Sequence, residues 1–384
     1  MYIVCHYGEI ALKGGNRKMF EEKLVENIKK ALKTNGVVFQ LVRRLYGRIL
    51  IKFNDAAEAE KAEKPLKKVF GLAYFYLAWA CPLDLELIKK TAGGILAHLD
   101  FETFCVRTKR ANKGFPLTSQ EINEQVGAYI AESLKKEVDL ESADVVLMIE
   151  ITDQEAFLGT AKIIGLGGLP VGVSGKAVCL LSGGIDSPVA SYYAMKRGVE
   201  VIFLHFHSFP YTDQASIAKV SDLASVLKKF QGQAAVYLVP FADIQKEVLL
   251  KTKADLRVIL YRRLMLKIAQ KIAQAEQAEV LITGESIGQV ASQTLPNITA
   301  IAEASSLLVL RPLIGFDKQE IIAKAQEIGT YEVSIVQHQD CCSRFLPQFP
   351  ETKADLAEVK NEEKNLKSAK LIKEALKNLK VVNI

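Results

Sequence analysis

From residue 176 onward the chain repeats one theme, a short and almost continuous apolar run followed by a longer helical stretch. The runs fall at 177–181, 199–206, 234–239, 279–283 and 307–310. Strands that lack polar alternation are buried on both faces, and the helices between them supply the cover. The pattern therefore predicts an α/β domain with a parallel sheet. Such sheets bind their ligands beyond the carboxyl ends of the strands, so the chemistry is expected there.

The first run, Ala177-Val178-Cys179-Leu180-Leu181, leads into Ser182-Gly183-Gly184-Ile185-Asp186-Ser187, and a helix is expected to begin near Pro188. Proline suits a first helical turn, where its missing N–H is not needed. Two glycines let the backbone turn tightly and point successive N–H groups inward. With the hydroxyls of Ser182 and Ser187 and the positive end of the helix, this makes a nest for phosphate or pyrophosphate. Asp186 would be repelled by phosphate unless a cation bridges them, so it is expected to hold Mg²⁺ or orient the reacting group. The preceding stretch, Gly165-Leu166-Gly167-Gly168-Leu169-Pro170-Val171-Gly172-Val173-Ser174-Gly175, has the composition of a linker. It is not a Walker loop: Pro170 stands where the first glycine should be, and Ala177 follows Lys176 in place of Ser or Thr.

The first 164 residues read as α+β. Phe20, Leu24, Ile28 and Leu32 recur on one helical face. Runs at 37–42 and 45–53 read as two strands with a tight turn at Arg43-Arg44, and 85–99 reads as a helix. Residues 104–110 alternate as a strand, with Arg107 and Lys109 on one face. Thr118 and Glu121 have capping-box spacing ahead of a further helix, and strands are expected at 144–151 and 155–163. Residues 351–380, rich in Lys and Glu, read as a surface helix.

Charge is uneven. The chain carries 50 basic and 44 acidic residues, net +6, and residues 1–50 hold 10 of the former against 4 of the latter, so the remainder balances at 40 each. An excess confined to one end suits an anionic partner. No apolar run approaches the ~20 residues of a membrane span, and no secretory signal is evident, so a cytoplasmic protein without membrane association is expected. Six cysteines without Cys-x-x-Cys spacing speak against a disulfide framework or structural zinc, and no metal site is expected. Cys341 and Cys342 are adjacent, so they pair poorly and do not easily chelate one metal. Arg344 and His338 nearby could lower a thiol pKa.

The loop Ser182-Gly183-Gly184-Ile185-Asp186-Ser187 resembles the PP-loop of ATP pyrophosphatases, which cleave ATP between its α and β phosphates and adenylate a substrate oxygen. Over nearly its whole length the chain further resembles the ThiI-type tRNA 4-thiouridine synthetases. The resemblance lies in His6-Tyr7-Gly8-Glu9-Ile10-Ala11-Leu12-Lys13-Gly14, in Val106-Arg107-Thr108-Lys109-Arg110-Ala111 with Phe115-Pro116 and Ser119, in the loop itself, and in Thr283-Gly284-Glu285-Ser286-Ile287-Gly288-Gln289-Val290-Ala291-Ser292-Gln293-Thr294. It implies a ferredoxin-like domain at 1–60, a THUMP RNA-binding domain at 61–164, a glycine-rich linker at 165–175 and a PP-loop domain at 176–384, without the rhodanese-like domain of longer members.

It also implies that ATP contacts Leu180, Leu181, Ser182, Gly183, Gly184, Asp186, Ser187, His205, Phe206, Arg262, Gly284 and Gln293. Asp186, Cys341 and Cys342 would be catalytic, a cysteine carrying sulfur as a persulfide. Arg17, Lys18, Arg43, Arg44, Arg107, Lys109, Arg110 and Lys113 would contact RNA, with Arg48 extending that surface. The implied activity adenylates O4 of uridine 8 of tRNA and replaces that oxygen with sulfur. ATP, with transient Mg²⁺, tRNA, a cysteine desulfurase and a second copy of the chain are the implied cofactors and partners. Sulfur supply to thiamine thiazole is a lesser expectation, since the missing domain carries it. Two other readings remain open on the residues alone: a PP-loop synthetase acting on a small molecule, and a non-catalytic RNA-binding protein. The intact loop speaks against the second.

Overall fold

The computed structural model describes residues 1–209, 215–336 and 347–384. The chain divides into two compact units, Met1–Pro170 and Val171–Ile384.

The first unit is built on one nine-stranded sheet. Its strands are β1 (Tyr2–Tyr7), β2 (Leu41–Leu45), β3 (Arg48–Lys52), β4 (Leu72–Cys81), β5 (Thr103–Arg110), β6 (Glu137–Val138), β7 (Val145–Ile151), β8 (Ala156–Gly159) and β9 (Ile163–Ile164). The order is β2-β3-β1-β4-β8-β7-β5-β6, with β9 on β4. The helices are α1 (Arg17–Thr34), α2 (Ala56–Lys61), α3 (Glu63–Leu66), α4 (Leu85–Leu96) and α5 (Ser119–Leu134). Phe20, Leu24, Ile28 and Leu32 of α1 are buried, as their spacing predicts. The Thr118–Glu121 capping box starts α5. Leu147, Ile149 and Ile151 of β7 pack with Ile88, Ile122 and Val126 of α4 and α5.

Strand β4 is ten residues long and serves both halves of this unit. It runs antiparallel to β1 from Leu72 to Ala78, and Trp79, Ala80 and Cys81 then pair with β8. The face opposite the α4 and α5 core buries Val4, Leu50, Tyr76 and Phe157. On that face Glu150 is held between His6 (2.6 Å) and Arg48 (2.5 Å), and all three are buried. Burial pushes the Glu150 carboxyl up, but His6 and Arg48 together hold it below its ordinary value.

Two expectations need correction here. The hairpin turn is at Tyr46-Gly47, where Gly47 supplies a positive φ of 78°, and Arg43 and Arg44 lie inside β2 opposite Leu50 and Ile49. Arg48 is not part of an exposed basic surface, because it is paired with Glu150 in the interior.

The second unit has strands β10 (Lys176–Leu180), β11 (Glu200–His207), β12 (Ala235–Pro240), β13 (Val280–Ile282), β14 (Leu308–Leu310) and β15 (Lys380–Asn383) in the order β14-β13-β10-β11-β12-β15. The first five named are parallel, in line with their unbroken apolar runs. Its helices are α6 (Asp186–Lys196), α7 (Ala215–Gln231), α8 (Ala242–Lys251), α9 (Arg257–Ala275), α10 (Leu295–Ala302), α11 (Lys318–Ile328), α12 (Tyr331–Ile335), α13 (Leu356–Lys364) and α14 (Ser368–Lys377). Helix α9 fills much of the core through Leu260, Leu264, Ile268 and Ile272.

The chain end is not one helix. It forms α13 and α14 and then β15, which pairs antiparallel with β12 at the sheet edge. The glycine-rich stretch divides between the two units at Pro170 and Val171, and each part bonds within its own unit. Gly167 exchanges bonds with Gly71 and Leu72, while Gly172 and Ser174 donate to Gly198.

The connections run outward from β10 through β11 to β12, then return to β13 on the other side of β10. The sequence direction therefore reverses between β10 and β13. Loops leaving the carboxyl ends of two such strands diverge and leave a crevice.

Candidate functional site

The crevice holds a cavity of about 280 Å³. One wall is the loop 182–187, which follows β10, and another is Thr283-Gly284-Glu285, which follows β13. The two loops are in close contact: a methyl group at Gly284 would lie 2.7 Å from the Ser187 nitrogen and 2.8 Å from the Asp186 carbonyl carbon. Glycine is needed there because its neighbour is backbone, which cannot move aside as a side chain does.

The loop is braced from within. The Ser182 N–H donates to the Ser187 hydroxyl (2.9 Å), the two hydroxyls are 3.1 Å apart, and the Gly184 N–H donates to Ser182 Oγ (3.3 Å). Helix α6 begins at Asp186, so its positive end opens at the loop, as Pro188 predicts. Asp186 accepts from Lys318 Nζ (2.6 Å) and from Gln289 Nε2 (2.8 Å).

Ten of the twelve residues expected at a nucleotide line this cavity: Leu180, Leu181, Ser182, Asp186, Ser187, His205, Phe206, Arg262, Gly284 and Gln293. Gly183 and Gly184 do not line it; they lie in the turn between Ser182 and Asp186. Several of the lining groups are poised rather than satisfied. His205 is buried, and its Nδ1 lies 3.0 Å from the Leu181 carbonyl. A carbonyl only accepts, so Nδ1 carries the proton and Nε2 is left as an acceptor. Burial lowers the His205 pKa to about 4, against a smaller upward effect of that hydrogen bond. Among the described residues neither His205 Nε2 nor Gln293 Oε1 has a partner.

The neighbouring arginines have different fates. Arg262 reaches the cavity, where it pairs with Glu285 (2.5 Å). Arg263 is buried with Glu363 (2.9 Å) and Glu303 (3.0 Å) and ties α9 to α10 and α13.

Five polar residues at the site were not among the expected ATP contacts: Thr283, Glu285, Gln289, Arg311 and Lys318. Thr283, Glu285 and Gln289 lie within the stretch 283–294 singled out in the sequence, and the other two carried only a weak local signal. Arg311 is the first charge after the apolar run 307–310. Lys318 lies inside a second capping box, Asp317 with Glu320, which sets it at the start of α11.

The expected RNA contacts fall in the first unit. Arg107 and Lys109 are exposed on one face of β5; Arg107 donates to the Leu140 carbonyl (3.0 Å), and Lys109 reaches the Tyr74 hydroxyl (3.3 Å). Lys18 and Lys113 are exposed, and Arg43 is half-buried. Arg17 and Arg44 both pair with Glu21. Arg110 is engaged internally, donating to the carbonyls of Phe115 (3.0 Å) and Leu117 (2.6 Å).

Cys341 and Cys342 lie outside the described residues, as do His338 and Arg344. The described cysteines, Cys5, Cys81, Cys105 and Cys179, are all buried. Burial pushes the thiols of Cys5 and Cys81 up and that of Cys179 to about 12.

A serine-flanked glycine turn, opening a helix at the point where a parallel sheet reverses direction, defines a nucleotide-binding domain of the PP-loop class. Comparison with known proteins narrows this. Residues 2–75 match the ThiI ferredoxin-like domain, 83–161 the THUMP domain, and 172–368 the family described as thiamine biosynthesis protein (ThiI). The chain is 44% identical to a probable tRNA sulfurtransferase of Moorella thermoacetica, over 100% of this chain and 97% of that protein. It is 46% identical to one from Caldanaerobacter subterraneus, over 96% of each. Among solved structures it resembles a 4-thiouridine synthetase–RNA complex with bound ATP, at 39% identity and a TM-score of 0.90, over 100% of this chain and 99% of the other. It also resembles PH1313 from Pyrococcus horikoshii, at 28% identity and a TM-score of 0.69, over 85% of this chain and 99% of that one. The chain belongs to the ThiI family.

Proposed function

We propose that this chain is a tRNA sulfurtransferase that uses ATP to convert uridine 8 of tRNA to 4-thiouridine. The observation that carries the reading is the cavity at the sheet's reversal point. It brings the phosphate-binding loop together with ten of the residues expected at ATP, in a chain that matches a 4-thiouridine synthetase from end to end.

A carbonyl oxygen on a pyrimidine is a poor leaving group. The uridine O4 lone pair attacks the α-phosphorus, the bond to the bridging oxygen breaks, and its electron pair leaves on pyrophosphate. The base's N3 proton passes to solvent. The terminal sulfur of a persulfide then attacks C4, AMP departs with the O4 oxygen, and a second thiol breaks the S–S bond to leave a disulfide. The N–H groups of the loop and the α6 terminus stabilise charge on the phosphates. His205 and Gln293 offer hydrogen-bonding atoms to the nucleotide, and Phe206 and Leu180 offer apolar walls.

Lys318 holds Asp186 ready beside the phosphates. Among the described residues no group of three or more His, Cys, Asp or Glu could hold a metal. The residues therefore fit Mg²⁺ only as an ion carried in by ATP, with Asp186 as its protein ligand. Such an ion would supply neutralisation of phosphate charge. The first unit binds tRNA through the exposed Arg107, Lys109, Lys113 and Lys18, with phosphate attraction and stacking as the physical basis.

Sulfur comes from a cysteine desulfurase and is received by Cys341 or Cys342. The buried, inert state of the described cysteines supports that assignment. Unmodified tRNA, ATP, Mg²⁺ and a desulfurase with free cysteine should yield 4-thiouridine, AMP and pyrophosphate. Asp186→Ala should abolish thiolation. Undiminished thiolation by that variant contradicts the proposal, and AMP formation indifferent to RNA would point instead to a small-molecule synthetase.

A further inference from the structure

We propose that Arg311 binds a phosphoryl group of the nucleotide and that Glu285 is the positioning residue that fixes both Arg311 and Arg262 for that task. The inference rests on the ATP site described above and adds two residues to it.

Glu285 is only 3% exposed. A buried carboxylate is stable only with partners, and one arginine would satisfy it. Glu285 has two. Arg262 Nη1 approaches Oε1 at 2.5 Å and Arg311 Nε approaches Oε2 at 2.6 Å, with the Thr283 hydroxyl on Oε2 at 3.0 Å. All three charged residues line the cavity. Two cations against one anion leave a surplus positive charge on this wall. A surplus of that kind is unfavourable in a partly desolvated cleft unless an anion arrives.

Arg311 is built to receive one. Its Nε is taken by Glu285 and its Nη1 donates to the Val309 carbonyl (3.1 Å). Its Nη2 is buried and has no partner among the described residues. An unpartnered nitrogen on a guanidinium whose residue lines the cavity suits phosphate oxygens, which accept charge-assisted hydrogen bonds. The location is right as well. Glu285 directly follows Gly284, which touches the backbone of Asp186 and Ser187. The arginine wall therefore begins one residue from the phosphate-binding loop.

The test uses the full-length protein. Replacing Arg311 leaves Glu285 with Arg262 and Thr283, so the carboxylate is not stranded and Arg311→Gln should fold. We expect Arg311→Gln to lower kcat/KM for ATP about 10²-fold, the usual effect of losing one preorganised donor to a developing charge. KM for tRNA should not change. Arg311→Lys, which places its charge without the fork, should recover little of the loss. Glu285→Gln should raise KM for ATP, and weaken ATP binding measured by calorimetry without RNA, while circular dichroism and tRNA affinity stay as in the unaltered protein.

The inference is overturned if Arg311→Gln matches the unaltered protein in ATP binding and kcat/KM while Asp186→Ala is inactive; the ATP-site reading then stands without Arg311. It is also overturned if KM for tRNA rises in step with KM for ATP, which would mark general damage. Absence of ATP-dependent thiolation by the unaltered protein is a separate result, and it defeats the parent reading.

Discussion

Replacing Gly284 with alanine is the sharpest probe of how the site is assembled. The added methyl would sit 2.7 Å from Ser187 N, 2.8 Å from Asp186 C and 2.9 Å from Ser187 Cα. All three are backbone atoms at the start of α6. Restoring an ordinary 3.4 Å contact requires the two loops to part by about 0.7 Å. Overpacking of this size costs about 1–3 kcal/mol, which a two-unit chain of this length tolerates. The damage to chemistry should be larger, because a reacting group displaced by about 1 Å can lose ~10²-fold in rate. Gly284→Ala should therefore remain folded by circular dichroism with a modestly lower Tm. Its ATP-dependent pyrophosphate release in the presence of tRNA should fall by about two orders of magnitude, and tRNA binding should be untouched. Activity within twofold of the unaltered protein would refute the claim that contact between the loops after β10 and β13 sets the geometry of the loop.

Two further predictions concern protons. The folded state lowers the His205 pKa from 6.5 to about 4, so the unfolded chain binds more protons between those values. The associated stability is fully present above pH 6.5 and is lost as pH falls towards 4, a contribution on the order of 3 kcal/mol. Urea midpoints measured from pH 7 to pH 4 should decline in the unaltered protein, and His205→Gln should flatten part of that decline; parallel curves would contradict it. Native-state alkylation followed by mass spectrometry should label Cys5, Cys81, Cys105 and Cys179 far more slowly than the same thiols in urea, and equal rates for Cys179 in the two conditions would show that burial does not protect it.

Much of the second unit could be read from its residues because burial on both faces leaves a plain mark. Unbroken apolar runs announced β10 to β14, and the glycine turn with Pro188 announced the start of α6. Short edge elements leave no such mark. Strand β15 is four residues, Lys380-Val381-Val382-Asn383, too short for any periodicity to separate it from the helix before it. The misplaced hairpin turn has a similar cause. Two adjacent apolar runs admit several registers, and the position that needs a left-handed backbone, Gly47, decides among them. The polar residues of the site divide in the same way. Those adjoining the loop in sequence were evident. Arg311 and Lys318 come from segments more than a hundred residues further on, where the end of an apolar run and a capping box place them at element ends without marking them off from solvated charges. Arg262 and Arg263 show the limit most clearly: neighbours on one helix, one pairs in the cavity with Glu285 and the other ties the core together.

The charges around the loop follow one physical logic. A nest that must accept the phosphates of ATP cannot also hold an unpaired carboxylate, yet Asp186 sits at its mouth. Lys318 and Gln289 occupy that carboxylate, and Glu285 in turn occupies Arg262 and Arg311. Every strong charge on the wall is thus met by an opposite one before ATP arrives, with positive charge in slight excess. Binding a polyanion then needs only a redistribution of existing pairs, not the burial of bare ions, which is the more costly process. Removing the basic partner of a pair should accordingly harm nucleotide binding more than its own direct contact would suggest, because the carboxylate it leaves behind competes with the phosphates for the cations that remain.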